Sequence, residues 1–295
     1  MVFLNLAVCC LVSFWAIIDF VQGKGTVEGY RVEGRIEGVF KNPNELALNM
    51  VIVIPIALGL LLGSRAITGK LLFGAISLLM VGGLFVTYSR GGFLGLATAS
   101  AYFIWKLRRR HKTLAFAFTL LAVLLLVIMV PGGYMNRMMS IVDHSRDAVG
   151  SAASRWEILL LSLKVAARHP LLGVGMRNFE IVSIHGLVTH NAYTQVATEM
   201  GIPAMIVFIL FLVTPRKRLK DMERATEGIK EQKWFYYLSV GLQASFVGFM
   251  VSIFFGAVAY QWYTYYLVGY AVCLRRVFES MKPETGNAGV SPAGY

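Results

Sequence analysis

Charge is scarce in this chain. Asp, Glu, Lys and Arg make up 15% of its 295 residues, where soluble domains average about 25%. Cysteine is nearly absent as well. The three present, Cys9, Cys10 and Cys273, lie in apolar segments without metal or disulfide spacing, which excludes a disulfide scaffold and a cysteine-based zinc site. There is no HExxH motif and no carboxylate set, and of the five histidines only His169, His185 and His190 cluster, loosely. No metal and no cofactor are therefore expected. No Lys or Arg precedes the first apolar run, residues 2–21, and no small-residue cleavage site follows it. A removable signal peptide does not fit; an uncleaved first span does, as does a chain that begins partway through a longer ancestor. Internal repeats are missing too, and only the tail after Lys282 is low in complexity.

What the chain has in abundance is apolar sequence. Hydrophobic residues are 57% of it, mean hydropathy is +0.63, and they fall in long runs rather than in narrow stripes. A helix needs about 20 residues to cross the hydrocarbon core. Eight runs qualify: 2–21, 46–63, 71–88, 91–106, 113–131, 193–214, 235–257 and 260–275. Runs of this length satisfy their own backbone groups as helices, and they lack the alternating ten-residue pattern of a barrel. The fold class expected is all-α: a polytopic membrane protein of about eight transmembrane helices with one large helical periplasmic loop.

The formal net charge of +12 does not point to nucleic acid, because the basic residues concentrate in short loops. With the N-terminus inside, segments 64–70, 106–112, 215–234 and 275–295 hold seventeen Lys and Arg, against five in segments 22–45 and 89–90. The positive-inside rule then puts both termini in the cytoplasm. The organisation expected is helices one to five over 1–131, a periplasmic loop over 132–200 carrying the site, helices six to eight over 193–276, and a cytoplasmic tail over 277–295. Within the loop, Ala153–Ala167 has a helical pattern that Ser151 or Ser154 can cap. Pro170 and the Gly173/Gly175 pair break the chain, and a second helix begins near His190 and runs into the sixth span.

Four patches then carry a resemblance. They are Arg35-Ile-Glu-Gly-Val-Phe-Lys-Asn-Pro-Asn-Glu-Leu-Ala47, Ser89-Arg90-Gly91-Gly92, His169-Pro170-Leu-Leu-Gly-Val-Gly175, and His190-Asn191 followed by nine residues and Gly201. In this order they resemble the O-antigen ligase and polymerase superfamily of bacterial envelope glycosyltransferases. Arg155 to Leu159 matches the ligases' arginine–three–leucine motif. Their histidine motif matches through Gly201 but has Ala204 at its last position. The resemblance implies transfer of a glycan from undecaprenyl pyrophosphate to an acceptor hydroxyl, on lipid A-core or on another glycan or protein. It places that reaction on the periplasmic face of the bacterial inner membrane, by a metal-independent, inverting route. Family members usually have more spans, so the chain is also readable as an incomplete relative.

The residues suit that chemistry on their own terms. A departing pyrophosphate needs fixed cations, and arginine's planar fork binds phosphate bidentately. Arg90, at the outer end of the third span, and Arg155, on the loop, are the expected catalytic cations, with Arg168, His169, Asn191, Asn42 and Arg35 binding substrate. An acceptor hydroxyl needs a base, and a neutral imidazole, with an unperturbed pKa of about 6.5, serves; His190 is the expected base, with Asn191 orienting it or a hydroxyl.

Each residue also has a structural reading. Arg90 can anchor a helix end, Arg155 can pair with Glu157 or Asp147, and Arg168 and Arg177 can be solvated loop charges. His190 can cap a helix, His169 can be structural beside Pro170, and Asn42-Pro43-Asn44 can cap the second span. Gly173-Val174-Gly175 reads as a turn for close backbone approach, not a nucleotide loop. Asp19 belongs at the membrane interface, and Tyr260, Trp262, Tyr263, Tyr265 and Tyr266 read as an aromatic belt. A polymerase, a protein O-oligosaccharyltransferase, a lipid-linked glycan transporter and a truncated inactive relative are the alternatives. The transporter ranks low because, apart from Asp19, the spans are nearly free of the charges that line a path.

Overall fold

The computed structural model describes residues 1–27, 31–35, 40, 42–108, 111–129, 151–183 and 186–281; inside its helices the side chains of 121–129 and 151–155 are left aside. The expected loop segment 132–150 and most of the expected tail, with His144, Asp147 and His185, lie outside the described residues.

The chain is built from helices. Helix α1 spans Val2–Gln22 and ends at Gly23, whose left-handed φ of 64° lets its N–H return to the carbonyls of Asp19 and Phe20. A short antiparallel hairpin follows, β1 (Thr26–Val27) on β2 (Arg31–Val32), with Thr26 opposite Val32 and Val27 opposite Arg31. Helix α2 (Pro43–Gly63) starts where Asn42 Oδ1 accepts from the Asn44 N–H, with Pro43 in the first turn, where its missing N–H costs nothing. Then come α3 (Ile67–Phe85), α4 (Arg90–Arg108) and α5 (Lys112–Met129). The polar interior of the sequence forms α6 (Ser151–Arg168), the single turn α7 (Phe179–Val182) and α8 (Ala192–Met200). Helices α9 (Ile202–Thr226), α10 (Lys233–Ser252, continued by a 3-10 turn, Ile253–Phe255) and α11 (Trp262–Ser280) complete it.

Four helices among the described residues are long and apolar enough to cross a membrane: Val2–Gln22, Pro43–Gly63, Ile67–Phe85 and Lys233–Phe255. The other expected runs also fall on helices, but two boundaries differ. The expected sixth span is two helices, α8 and α9, separated at Gly201. Helix α9 also runs on to Thr226, through Pro215 and the basic run that the sequence reading assigned to a loop.

Helices α2 and α10 form the centre. Leu46, Met50, Val51, Ile52, Val53, Ile54 and Ile56 of α2 are all buried, on every face of that helix. Small residues let α10 approach it closely. A Cβ at Gly241 would lie 2.4 Å from the Pro55 carbonyl oxygen, and Ser245 Oγ donates to the Ile52 carbonyl at 2.6 Å. Helix α4 packs against both α10 and α2: a Cβ at Gly248 would lie 2.7 Å from the Gly95 carbonyl oxygen and 3.0 Å from Val51 Cγ1.

One buried polar network crosses this packing. Lys106 Nζ donates to both carboxylate oxygens of Glu223, at 2.9 and 2.7 Å, Gln243 Nε2 donates to Glu223 Oε2 at 2.8 Å, and Tyr102 donates to Gln243 Oε1 at 2.9 Å. Lys106, expected in a cytoplasmic loop, is therefore buried in the last turns of α4. A charge removed from water survives only when paired and hydrogen-bonded, and here α4, α9 and α10 each supply a partner.

Candidate functional site

The α3–α4 turn is held from several directions. Ser89 caps α4 by accepting from the Gly92 N–H at 3.2 Å, and its hydroxyl donates to Asn44 Oδ1 at 2.9 Å. Arg31 Nη2 donates to the same Asn44 oxygen at 2.8 Å, and Arg31 Nε to the Thr87 carbonyl at 3.1 Å. The Val32 N–H bonds the Val86 carbonyl at 3.2 Å. Arg31, only 6% exposed, thus ties the hairpin, the start of α2 and the approach to Arg90 into one piece. Sequence reading missed it, since a lysine or arginine in a hairpin is most often solvated. Arg90 itself is half-buried at the first position of α4. Burial pushes the neighbouring Tyr88 phenol above its ordinary pKa.

The second half of the site is a clasp. The Val174 N–H donates to the Thr198 carbonyl and the Gly175 N–H to the Glu199 carbonyl, both at 2.9 Å, and the Ile202 N–H donates to the Pro170 carbonyl at 2.8 Å. The 170–175 loop therefore runs backbone to backbone along the end of α8. Glycine is required on both sides. A Cβ at Gly173 (φ 66°) would lie 2.4 Å from the Glu199 carbonyl carbon, and one at Gly201 (φ 91°) would lie 2.2 Å from the Leu171 carbonyl oxygen. This is the close approach expected of the Gly-Val-Gly turn. Glu199, buried, accepts from the Arg177 N–H at 3.0 Å. Ile158 and Val165 of α6 pack with Phe179 beneath the loop.

Asn191 is the N-cap of α8. Its side-chain oxygen accepts from the N–H groups of Tyr193, at 2.9 Å, and Thr194, at 3.1 Å. The cap role considered for His190 thus falls to its neighbour, and His190 stands half-buried one residue before it. Among the described residues the non-glycine positions with positive φ are Tyr88 (51°), Arg177 (62°) and His190 (53°). All three lie in or beside the sequence patches singled out above. A non-glycine residue in this region costs on the order of 1–3 kcal/mol and persists only where its surroundings over-determine it.

Both halves dock on the same end of α10. Ser252 Oγ donates to the Gly91 carbonyl at 3.0 Å, next to Arg90. The Tyr193 hydroxyl donates to the Met250 carbonyl at 2.8 Å, and Gln195 Oε1 accepts from the Ala259 N–H at 3.1 Å. The Ile253–Phe255 turn touches both α4 and α8. Arg90 and His190 are therefore carried to one end of one helix by independent contacts. Arg168 and His169 are exposed at the C-terminal end of α6, where the clasp begins. Arg155 lies on α6, and its side chain is outside the described residues.

Two expected binding residues are engaged elsewhere. Arg35 is bound through Nε and Nη2 to both carboxylate oxygens of Asp19, and its guanidinium lies 4.3 Å from the Trp15 ring centre. Asn42 Oδ1 caps α2. The aromatic cluster is split: Trp262 and Tyr265 are exposed, whereas Tyr263 is fully buried and Tyr266 donates to Asn49 Oδ1 at 2.7 Å. A belt accounts for the first pair only.

Residues 75–209 match the family model of O-antigen ligase. The matched segment runs from the middle of α3 into α9 and contains Arg90, Arg155, Arg168, His169 and His190. No curated protein matches the chain.

Proposed function

We propose that this helical membrane protein, whose residues 75–209 match the O-antigen ligase family model, is a ligase-type glycosyltransferase that moves a glycan from undecaprenyl pyrophosphate to an acceptor hydroxyl. The observation that carries the proposal is the convergence of the Ser89-Arg90 turn and the His190 clasp on one end of α10. In this reading the cation of Arg90 and the imidazole of His190 serve one site at that end, beside apolar helices suited to a polyprenyl chain.

In this mechanism His190 accepts the proton of the acceptor hydroxyl as its oxygen forms a bond to the anomeric carbon. The bond from that carbon to the pyrophosphate oxygen breaks, its electron pair leaves with the pyrophosphate, and attack from the opposite face inverts the centre. Arg90 and Arg155 hold the developing phosphate charge, and Arg168 and His169 bind substrate at the rim. A fixed donor of this kind is worth on the order of a hundredfold to a thousandfold in rate. The seventeen basic residues of segments 64–70, 106–112, 215–234 and 275–295 support placing the site on the periplasmic face of the inner membrane.

The acceptor separates the two family subreadings. The arginine–three–leucine match favours a ligase acting on lipid A-core over a polymerase. Protein in nanodiscs, given undecaprenyl-pyrophosphate glycan plus lipid A-core, is expected to yield glycan-bearing lipid A-core and free undecaprenyl pyrophosphate. Chain growth on the donor instead makes it a polymerase, and no turnover with folded protein contradicts both.

A further inference from the structure

At the end of the bundle away from the candidate site lies a cleft of about 680 Å³. It is lined from α2, α3, α5, α10 and the α9–α10 turn at once, with two chemically distinct portions. Lys70, His111, Lys230 and Lys233 contribute cationic or ionisable nitrogen, while Leu114 and Phe118 of α5 contribute apolar surface. No Asp or Glu is among its lining residues, although Glu227 and Glu231 flank Lys230 in the chain. Two of the nitrogen groups are organised by one ring: Lys233 Nζ lies 5.6 Å from the centre of the Tyr237 ring, and the His111 ring stacks on Tyr237 at 6.5 Å.

From this juxtaposition we infer that the cleft binds an anionic phospholipid, its phosphate on the lysines and an acyl chain along Leu114 and Phe118. The lysines stand at helix ends, Lys70 in the first turn of α3 and Lys233 at the first position of α10, which is headgroup depth for helices that cross a bilayer. Lysine serves as a compact point charge for phosphate, and basic clefts between helices on the cytoplasmic side are built for acidic headgroups. A soluble anion leaves the apolar portion unused, and a zwitterionic lipid leaves the cationic excess unmatched. The volume falls in the range of ordinary ligand sites, about 300–1,000 Å³. The inference depends on this end facing the cytoplasmic leaflet and is independent of the transfer chemistry.

Native mass spectrometry of the full chain, equilibrated with equal phosphatidylglycerol and phosphatidylcholine, tests it. Phosphatidylglycerol is expected to remain bound preferentially. Each of Lys70→Gln, Lys230→Gln and Lys233→Gln should weaken it about fivefold, and the triple variant on the order of a hundredfold. Lys230 is exposed in the α9–α10 turn, so its single variant keeps the test valid should the triple variant fail to fold. Leu114→Trp should lower retention of both lipids by filling the apolar portion. Equal retention of the two lipids, or unchanged phosphatidylglycerol binding in the Lys→Gln variants, overturns the inference. So does inorganic phosphate that displaces the lipid at millimolar concentration, since it marks a small-anion site.

Discussion

At the scale of single residues, left-handed backbone falls on His190, the proposed base, and on Tyr88, two residues before Arg90. Gly201 combines a left-handed φ with a carbonyl 2.2 Å from where a Cβ would sit, whereas Gly228, at φ 85°, has nothing within 4 Å. Gly228→Ala should therefore cost only the left-handed penalty, on the order of 1–2 kcal/mol. Gly201→Ala should cost clearly more, read as a larger fall in melting temperature of the detergent-solubilised protein. Equal falls would mean that the clasp is loose enough to absorb a methyl group. Arg31→Ala removes donors from the Thr87 carbonyl in the α3–α4 turn and from Asn44 Oδ1 at the start of α2, which keeps Ser89 as a donor, and a loss of about 1–3 kcal/mol is expected. The same thermal measurement checks it, and no change would remove Arg31 from the support of Arg90. The Arg90 and His190 patches were legible in the sequence because histidine and arginine beside glycine are unusual in an apolar chain. Arg31 was not, because nothing in a two-residue strand distinguishes a buried arginine from a solvated one.

At the scale of elements, the sequence displayed the His169–Gly175 and His190–Gly201 patches as separate motifs, and the fold makes them one object. Their pairing depends on backbone hydrogen bonds from 174 and 175 to 198 and 199, a contact that no local pattern encodes. Helix periodicity could have divided the aromatic cluster, since Trp262 and Tyr265 share a face at i, i+3 spacing, and Tyr263 turns away from it. Lys106 was misplaced for a related reason: its partner Glu223 lies 117 residues away, beyond a helix end extended past its apolar run. Glu223→Gln leaves Lys106 as a buried unpaired charge and should destabilise the protein by about 3–5 kcal/mol. Changing both residues to Met should recover most of that loss. Thermal unfolding of the single and double variants measures it, and a mild effect of the single variant would mean that water reaches the pair.

At the scale of the whole molecule, the helical membrane class followed from composition and run length alone, and the four described helices long and apolar enough to cross a membrane bear it out. Orientation rests on the charge count. A cysteine-free variant carrying Leu172→Cys, a position 85% exposed, should react with a membrane-impermeant maleimide from outside the inner membrane. A cysteine in the Lys230 turn should react only after lysis, and the reverse pattern would invert the bundle. The central claim is that His190 supplies the base at the outer end of α10. Asparagine tolerates left-handed backbone better than most residues, so His190→Asn removes the imidazole while keeping the local fold. The measurement is the single-turnover rate of glycan transfer by His190→Asn beside the unaltered protein, at matched melting temperature. A fall on the order of a hundredfold to ten-thousandfold is predicted; a rate within a few-fold of the unaltered protein would contradict the account.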